Sequence, residues 1–96
     1  LLSFTEFKED VCFHIAQTYL QTFDYHGAIH YFKNCLFENK KNEVAADELS
    51  ECFDRAGRAS EGITYFQALI DQDPYNALFW FHLGKSYQCI RLLYSD

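Results

Sequence analysis

Apolar residues recur along this chain at intervals of three and four. Ile15 and Tyr19, then Ala28, Ile29, Phe32 and Leu36, form two successive helical stripes; Leu49 with Phe53, and Ile63 with Phe66 and Ile70, form two more. The stripes predict a series of amphipathic helices separated by short breaks. In "DRAGR" (54–58), Gly57 falls just past a helix end, where a left-handed residue closes the last turn. Asp24 is placed to cap the helix that carries Ala28 and Phe32, and Arg58 or Ser60 begins the corresponding later one. Asp73-Pro74 ends that helix and starts another, because proline lacks an N–H and biases the residue before it away from helix.

The stripes repeat. Trp80, Leu83, Gly84 and Tyr87 stepped back by 34 residues give Ala46, Leu49, Ser50 and Phe53, and a second step gives Cys12, Ile15, Ala16 and Tyr19. Ala28, Phe32 and Cys35 return in the same way as Gly62, Phe66 and Leu69, with no gap needed. Small residues at 16, 50 and 84, and at 28 and 62, are expected where two helices approach closely. The fold class is therefore all-α: an α-solenoid of stacked antiparallel helix hairpins, about two and a half 34-residue repeats long.

The string Trp80-x-x-Leu83-Gly84-x-x-Tyr87, the 34-residue step and the closing Pro74 together resemble the tetratricopeptide repeat (TPR) family. The resemblance covers nearly the whole chain, with repeat 1 at 9–42, repeat 2 at 43–76, and the first helix of repeat 3 from 77 to 96. Residues 1–8 take the register of the tail of a preceding helix. The last helix has no Gly or Pro to stop it, so it can extend through Leu92, Leu93 and Tyr94. Three positions depart from the family pattern: Lys40 replaces the closing proline of repeat 1, Ala46 stands where a large aromatic is frequent, and Phe23 stands where glycine would ease the turn. The chain reads as a segment of a longer array, with Trp80, Leu83 and Tyr87 deprived of a covering helix. Homodimerisation through uncovered terminal helices is expected.

Composition narrows the range of partners. Among 96 residues, 49% are hydrophobic and 19% aromatic, with one Pro and four Gly, which suits helix packing and argues against a turn-rich β-sandwich or disorder. The net charge is −6 and no basic block exceeds Lys40-Lys41, so nucleic acid and anionic membrane surfaces are poor partners. No apolar run is long enough to span a bilayer, and the first residues do not read as a signal peptide. A cytoplasmic location is expected. Cys12, Cys35, Cys52 and Cys89 include no C-x-x-C pair and read as free, mostly buried thiols.

The resemblance implies a scaffold that binds a peptide or partner domain along a groove lined by the first helix of each repeat. Carried onto this chain, the groove comprises Phe13, Gln17 and Leu20 in repeat 1, Asp47, Glu51 and Asp54 in repeat 2, and Phe81 and Lys85 in the third unit. "EVAADELSECFD" (43–54) holds five carboxylates in twelve residues, and Asp47, Glu51 and Asp54 share a helix face. Flanked by Phe13 and Phe81, that face suits a segment with basic and apolar residues; the alternative is a solvated charged surface. The family's carboxylate-clamping members place Lys, Asn and Arg where this chain has Phe13, Gln17, Glu48, Leu78 and His82, so that activity is not expected.

Metal and catalytic chemistry find little support. His26 and His30 share a helix face, but no third ligand is near, and both read as surface residues. His14 and His82 occupy the same repeat position, about 10 Å apart per neighbouring helix, and read as groove-edge or surface side chains. No metal, cofactor or enzyme activity is expected: the sequence has no Gly-rich phosphate loop and no G-x-S-x-G, and its carboxylate pairs lie on single helices. The preferred reading is a protein–protein interaction module. The alternative is a structural or regulatory repeat segment packed against another domain of a larger protein.

Overall fold

The computed structural model describes residues 4–94, with side chains for 7–88 and Arg91. Five helices follow one another: α1 (Phe4–Gln21), α2 (Tyr25–Glu38), α3 (Glu43–Arg55), α4 (Ala59–Gln72) and α5 (Ala77–Tyr94), with no strand among the described residues. Their boundaries recur at the sequence period. The starts of α2 and α4 (25 and 59), their ends (38 and 72), the starts of α3 and α5 (43 and 77) and the ends of α1 and α3 (21 and 55) are each 34 apart.

The turns repeat bond for bond. Phe23 N–H donates to Leu20 O and Asp24 N–H to Tyr19 O; 34 residues on, Gly57 N–H donates to Asp54 O and Arg58 N–H to Phe53 O. These paired bonds satisfy carbonyls left open at a helix C-terminus, and they require a left-handed residue at the turn. Gly57 meets that need at φ 72°, and Phe23 meets it at φ 59°. A bulky residue in this region costs about 1–2 kcal/mol, so the first turn is the more strained.

The cap expected at α2 forms, and α3 has one, at Asn42, that the sequence reading did not name. Asp24 accepts from Gly27 N–H at 3.1 Å, and Asn42 accepts from Ala45 N–H at 3.0 Å. Asn42 also donates to Glu9 Oε2 at 2.8 Å, tying α3 to α1. At the start of α4, Arg58 makes no side-chain capping bond. Asn76, 34 residues after Asn42, donates to Lys40 O at 3.0 Å and accepts from Leu78 N–H at 3.1 Å, joining the two loops at the same end of the molecule. The spacing of the single Pro and single Trp also acquires a physical meaning: Trp80 Nε1 donates to Pro74 O at 2.8 Å, fastening α5 to the turn before it.

Consecutive helices pack together: α2 lies on α1 and α3, α4 on α3 and α5, and α3 also touches α5. The molecule is flat, 52 × 35 × 15 Å. Its core runs through all five helices, with Phe32, Phe53, Phe66 and Phe79 fully buried. Each such ring contributes about 1.5–3 kcal/mol through burial. Equivalent positions share burial where a neighbouring helix covers them. Ala45 and Phe79 are buried, and so are Cys52 and Ser86, whereas Val11 and Thr18, their counterparts in α1, are exposed. The difference follows from packing, because α3 and α5 each lie on a preceding helix and α1 has none among the described residues.

Several details depart from the sequence reading. α1 runs unbroken from Phe4, so residues 4–8 extend it instead of ending an earlier helix; residues 1–3 lie outside the described set. Ala16 and Ser50 are buried as expected, but Gly84 is exposed and a Cβ there would meet nothing within 4 Å. Close approach occurs at Gly62, beside Phe53, and at Gly27, whose added Cβ would lie 2.7 Å from the Tyr19 ring. Leu83 is not left uncovered: it is 6% exposed, whereas Trp80 and Tyr87 are half exposed. Leu83 lies on the face of α5 that carries Phe79 and Ser86, and the other two lie away from it.

Candidate functional site

The residues expected to line one groove fall into two clusters. The first is a cleft of ≈ 220 Å³ where the end of α1, the first turn and the start of α2 face α3. It is lined by Leu20, Phe23, Tyr25, Glu48, Glu51, Cys52 and Arg55. Leu20 and Glu51 were expected here; the others come from the turn and from a neighbouring face of α3. Because Phe23 occupies the left-handed turn position, its ring stands 73% exposed at the edge of the cleft.

Electrostatics in the cleft are those of crowded carboxylates. Glu51 pairs with Arg55 at 2.6 Å. The Tyr25 hydroxyl and Glu51 together hold the Arg55 guanidinium above its ordinary value. Partial burial, followed by the neighbouring Glu51 and Asp47 carboxylates, raises the Glu48 pKa, against a smaller opposing effect of Arg55. A cation brought into this cleft would lower it again, since opposite charge favours the ionised form.

The second cluster lies between α3 and α5. Asp47 is exposed on α3, with its Oδ1 3.2 Å from His82 Nε2. Phe81 is 60% exposed and meets the His82 ring edge-on at 5.2 Å, and Lys85 Nζ sits 5.5 Å from the Phe81 centroid. Asp47, Phe81 and Lys85 therefore lie together around His82.

The remaining expected residues are dispersed. Phe13 packs edge-on against the buried Phe32 at 5.7 Å, which makes it a half-buried margin of the core. Gln17 is exposed on α1 and does not line the cleft. Asp54 is half-buried, and its Oδ1 is buried with no hydrogen-bond partner among the described residues, so it does not share the open face of Asp47 and Glu51.

His82 requires a correction. It is not a groove-edge or surface side chain: it is fully buried, stacked on Phe66 with centroids 5.4 Å apart and planes 22° apart. Phe79, His82, Leu83 and Ser86 share one face of α5 by i, i+3, i+4, i+7 spacing, but Val11, His14, Ile15 and Thr18 have the same spacing in α1, so the covering helices and not the spacing bury 82. His14, at the same repeat position, is exposed beside Asp10 at 3.4 Å.

His26 Nδ1 lies 2.9 Å from Arg58 Nη1, and His30 is exposed with its ring edge-on to Tyr31. Cys12, Cys35 and Cys52 are free thiols. Burial pushes Cys35 up to about 12 and Cys52 up to about 11, which leaves both protonated and unreactive at neutral pH. No described helix is long and apolar enough to cross a membrane.

Known protein families, curated proteins and solved structures provide no match to this chain.

Proposed function

We propose that the chain is a segment of a tetratricopeptide-type α-solenoid and serves as a protein-interaction module. Its partner is a peptide or protein segment with basic and apolar residues. The observation that carries this reading is the outer surface of α3, where the Asp47 and Glu51 side chains are 60% and 52% exposed. That acidic strip runs between the apolar wall of the cleft on one side (Leu20, Phe23, Tyr25) and the exposed Phe81 ring on the other. Such a surface accepts an extended segment whose cations meet the carboxylates while an apolar residue enters the cleft. The solenoid assignment is supported by helix boundaries and turn bonds that recur every 34 residues.

A displayed pool of random peptides tests the reading. Selection on the chain is expected to enrich peptides with Lys or Arg beside an apolar residue. The double reversal Asp47→Lys/Glu51→Lys is expected to weaken the enriched peptides at least about tenfold, a loss of about 1.4 kcal/mol, with helicity unchanged by circular dichroism. Enrichment of acidic peptides, or unchanged affinity in the reversed variant, refutes the proposal.

A second reading is favoured by the outward face of α5. Trp80 and Tyr87 are 51% and 55% exposed there, around a Gly84 with open space above it. On this reading the face packs against a second copy or a neighbouring domain of a larger protein. Light scattering of the chain should then show concentration-dependent dimerisation, and Trp80→Ser/Tyr87→Ser should abolish it. A monomer at every concentration removes the second-copy version.

A further inference from the structure

His82 is the only imidazole or charged side chain that is buried among the described residues. Its ring lies on Phe66 of α4, and the Phe81 ring stands against it edge-on. Neither ring nitrogen has a hydrogen-bond partner among the described residues. Asp47 Oδ1 of α3 is 3.2 Å from Nε2, within ion-pair distance but outside hydrogen-bond geometry. A buried polar group left in this state is costly to keep neutral and costlier still to charge. It also stands where α5 meets both α3 and α4.

We propose that His82 is an acid-released latch: its neutral ring seats α5 against α3 and α4, and proton uptake frees that helix. The charged groups acting on the ring are Asp47 across the α3–α5 contact and Lys85 three residues along its own helix; α4 presents the uncharged Phe66 ring. Burial disfavours the imidazolium most, Asp47 favours it, and Lys85 disfavours it, leaving the pKa below the ordinary 6.5. The sign follows from linkage. Above pH 6.5 the ring is neutral whether α5 is seated or free. Below it, the freed ring binds a proton that the seated ring refuses, so the opened form gains by up to about tenfold per pH unit, until the seated ring also titrates. Glu48 acts in the opposite direction. Its raised carboxyl pKa makes the folded chain relatively more stable as pH falls, so it cannot cause a loss on the acid side.

Release of α5 also removes Phe81 and Lys85 from beside Asp47. Acid would therefore dismantle one flank of the acidic strip. This consequence rests on the interaction-module reading, and the latch itself does not.

The chain carries its own reporter. Trp80, the only tryptophan, lies on α5 and is hydrogen-bonded to Pro74 O. Thermal unfolding followed by Trp80 emission between pH 8 and pH 5 should show a midpoint that falls below about pH 6.5, where an ordinary imidazole begins to charge. Imidazole resonances should place His82 below the ordinary 6.5. His82→Phe, which preserves the aromatic stack, should flatten the acid-side fall. Two further variants test the latch if that one does not fold. Asp47→Asn removes the group that favours protonation and should deepen the fall, whereas Lys85→Gln should make it shallower. An acid-side slope unchanged in His82→Phe, or His82 titrating at or above the ordinary 6.5, overturns the latch. Because no ligand enters these measurements, their failure would leave the peptide-binding proposal standing, and failed peptide selection would leave the latch standing.

Discussion

Phe66→Ala should lower the unfolding midpoint by more than any other single side-chain truncation in α4. The ring is fully buried where two helices meet: it packs against Tyr65 edge-on at 5.3 Å on its own helix and against His82 of α5 at 5.4 Å. Truncation removes the ring's transfer energy and leaves a cavity, together costing about 3–5 kcal/mol. A domain of this size has about 5–15 kcal/mol in total, so the loss is a large share of it. At about 4–8 °C per kcal/mol, a loss of 3 kcal/mol lowers the midpoint by about 12–24 °C. Calorimetry or circular dichroism melts check this directly. The same variant has a second consequence. Without Phe66 the His82 ring gains space for water, so its pKa should rise toward the ordinary 6.5 and the acid-side fall in stability should shrink. A fall of only a few degrees would mean that α5 is not seated through this ring.

Gly62→Leu should also be strongly destabilising, through crowding. An added Cβ at Gly62 would lie 3.3 Å from Cβ, Cγ and Cδ2 of Phe53, so the rest of a leucine has no room between α3 and α4. Phe53 cannot easily yield. It is 1% exposed, Tyr65 packs beside it at 6.0 Å, and the Lys33 and Arg58 cations sit 5.5 Å and 5.9 Å from its centroid. Overpacking of this kind costs about 1–3 kcal/mol or more, and the gain in helix propensity over glycine returns less than about 1 kcal/mol. Gly84→Leu is the control. Nothing lies within 4 Å of its Cβ, so propensity acts alone and stability should hold or rise. Equal effects at the two glycines would show that the helices do not approach closely at Gly62.

The two glycines illustrate how far the sequence can be read. Both are helical residues at positions that the 34-residue step marks as small, and nothing in the string separates them. Gly62 is pressed by Phe53 of the preceding helix, whereas the space beside Gly84 is open. Histidines show the same limit. His14 and His82 share a repeat position, yet one is exposed and the other fully buried, because only α5 has a helix packed on that face. The candidate site was half legible for the same reason. The family resemblance put Asp47, Glu51, Phe81 and Lys85 in one groove, and all four are exposed, but Phe23 and Tyr25 reach the cleft only because the first turn folds back toward α3. Phe13 and Asp54 were misplaced because neighbouring helices cover part of the face they share with exposed residues.

What the amino-acid string determined by itself is the set of local signals: helical stripes, the cap Asp24, the left-handed turn at Gly57 and the break at Pro74. Each acts within about one turn of helix, so each can be read without knowing what lies across the core. These signals fixed the helices and their period. Tertiary structure alone decided which copy of a repeated position is covered, since burial depends on the helix next door and not on the residue. That is why His82, with a carboxylate 3.2 Å away and no hydrogen bond to either nitrogen, became visible only once α3, α4 and α5 were in place.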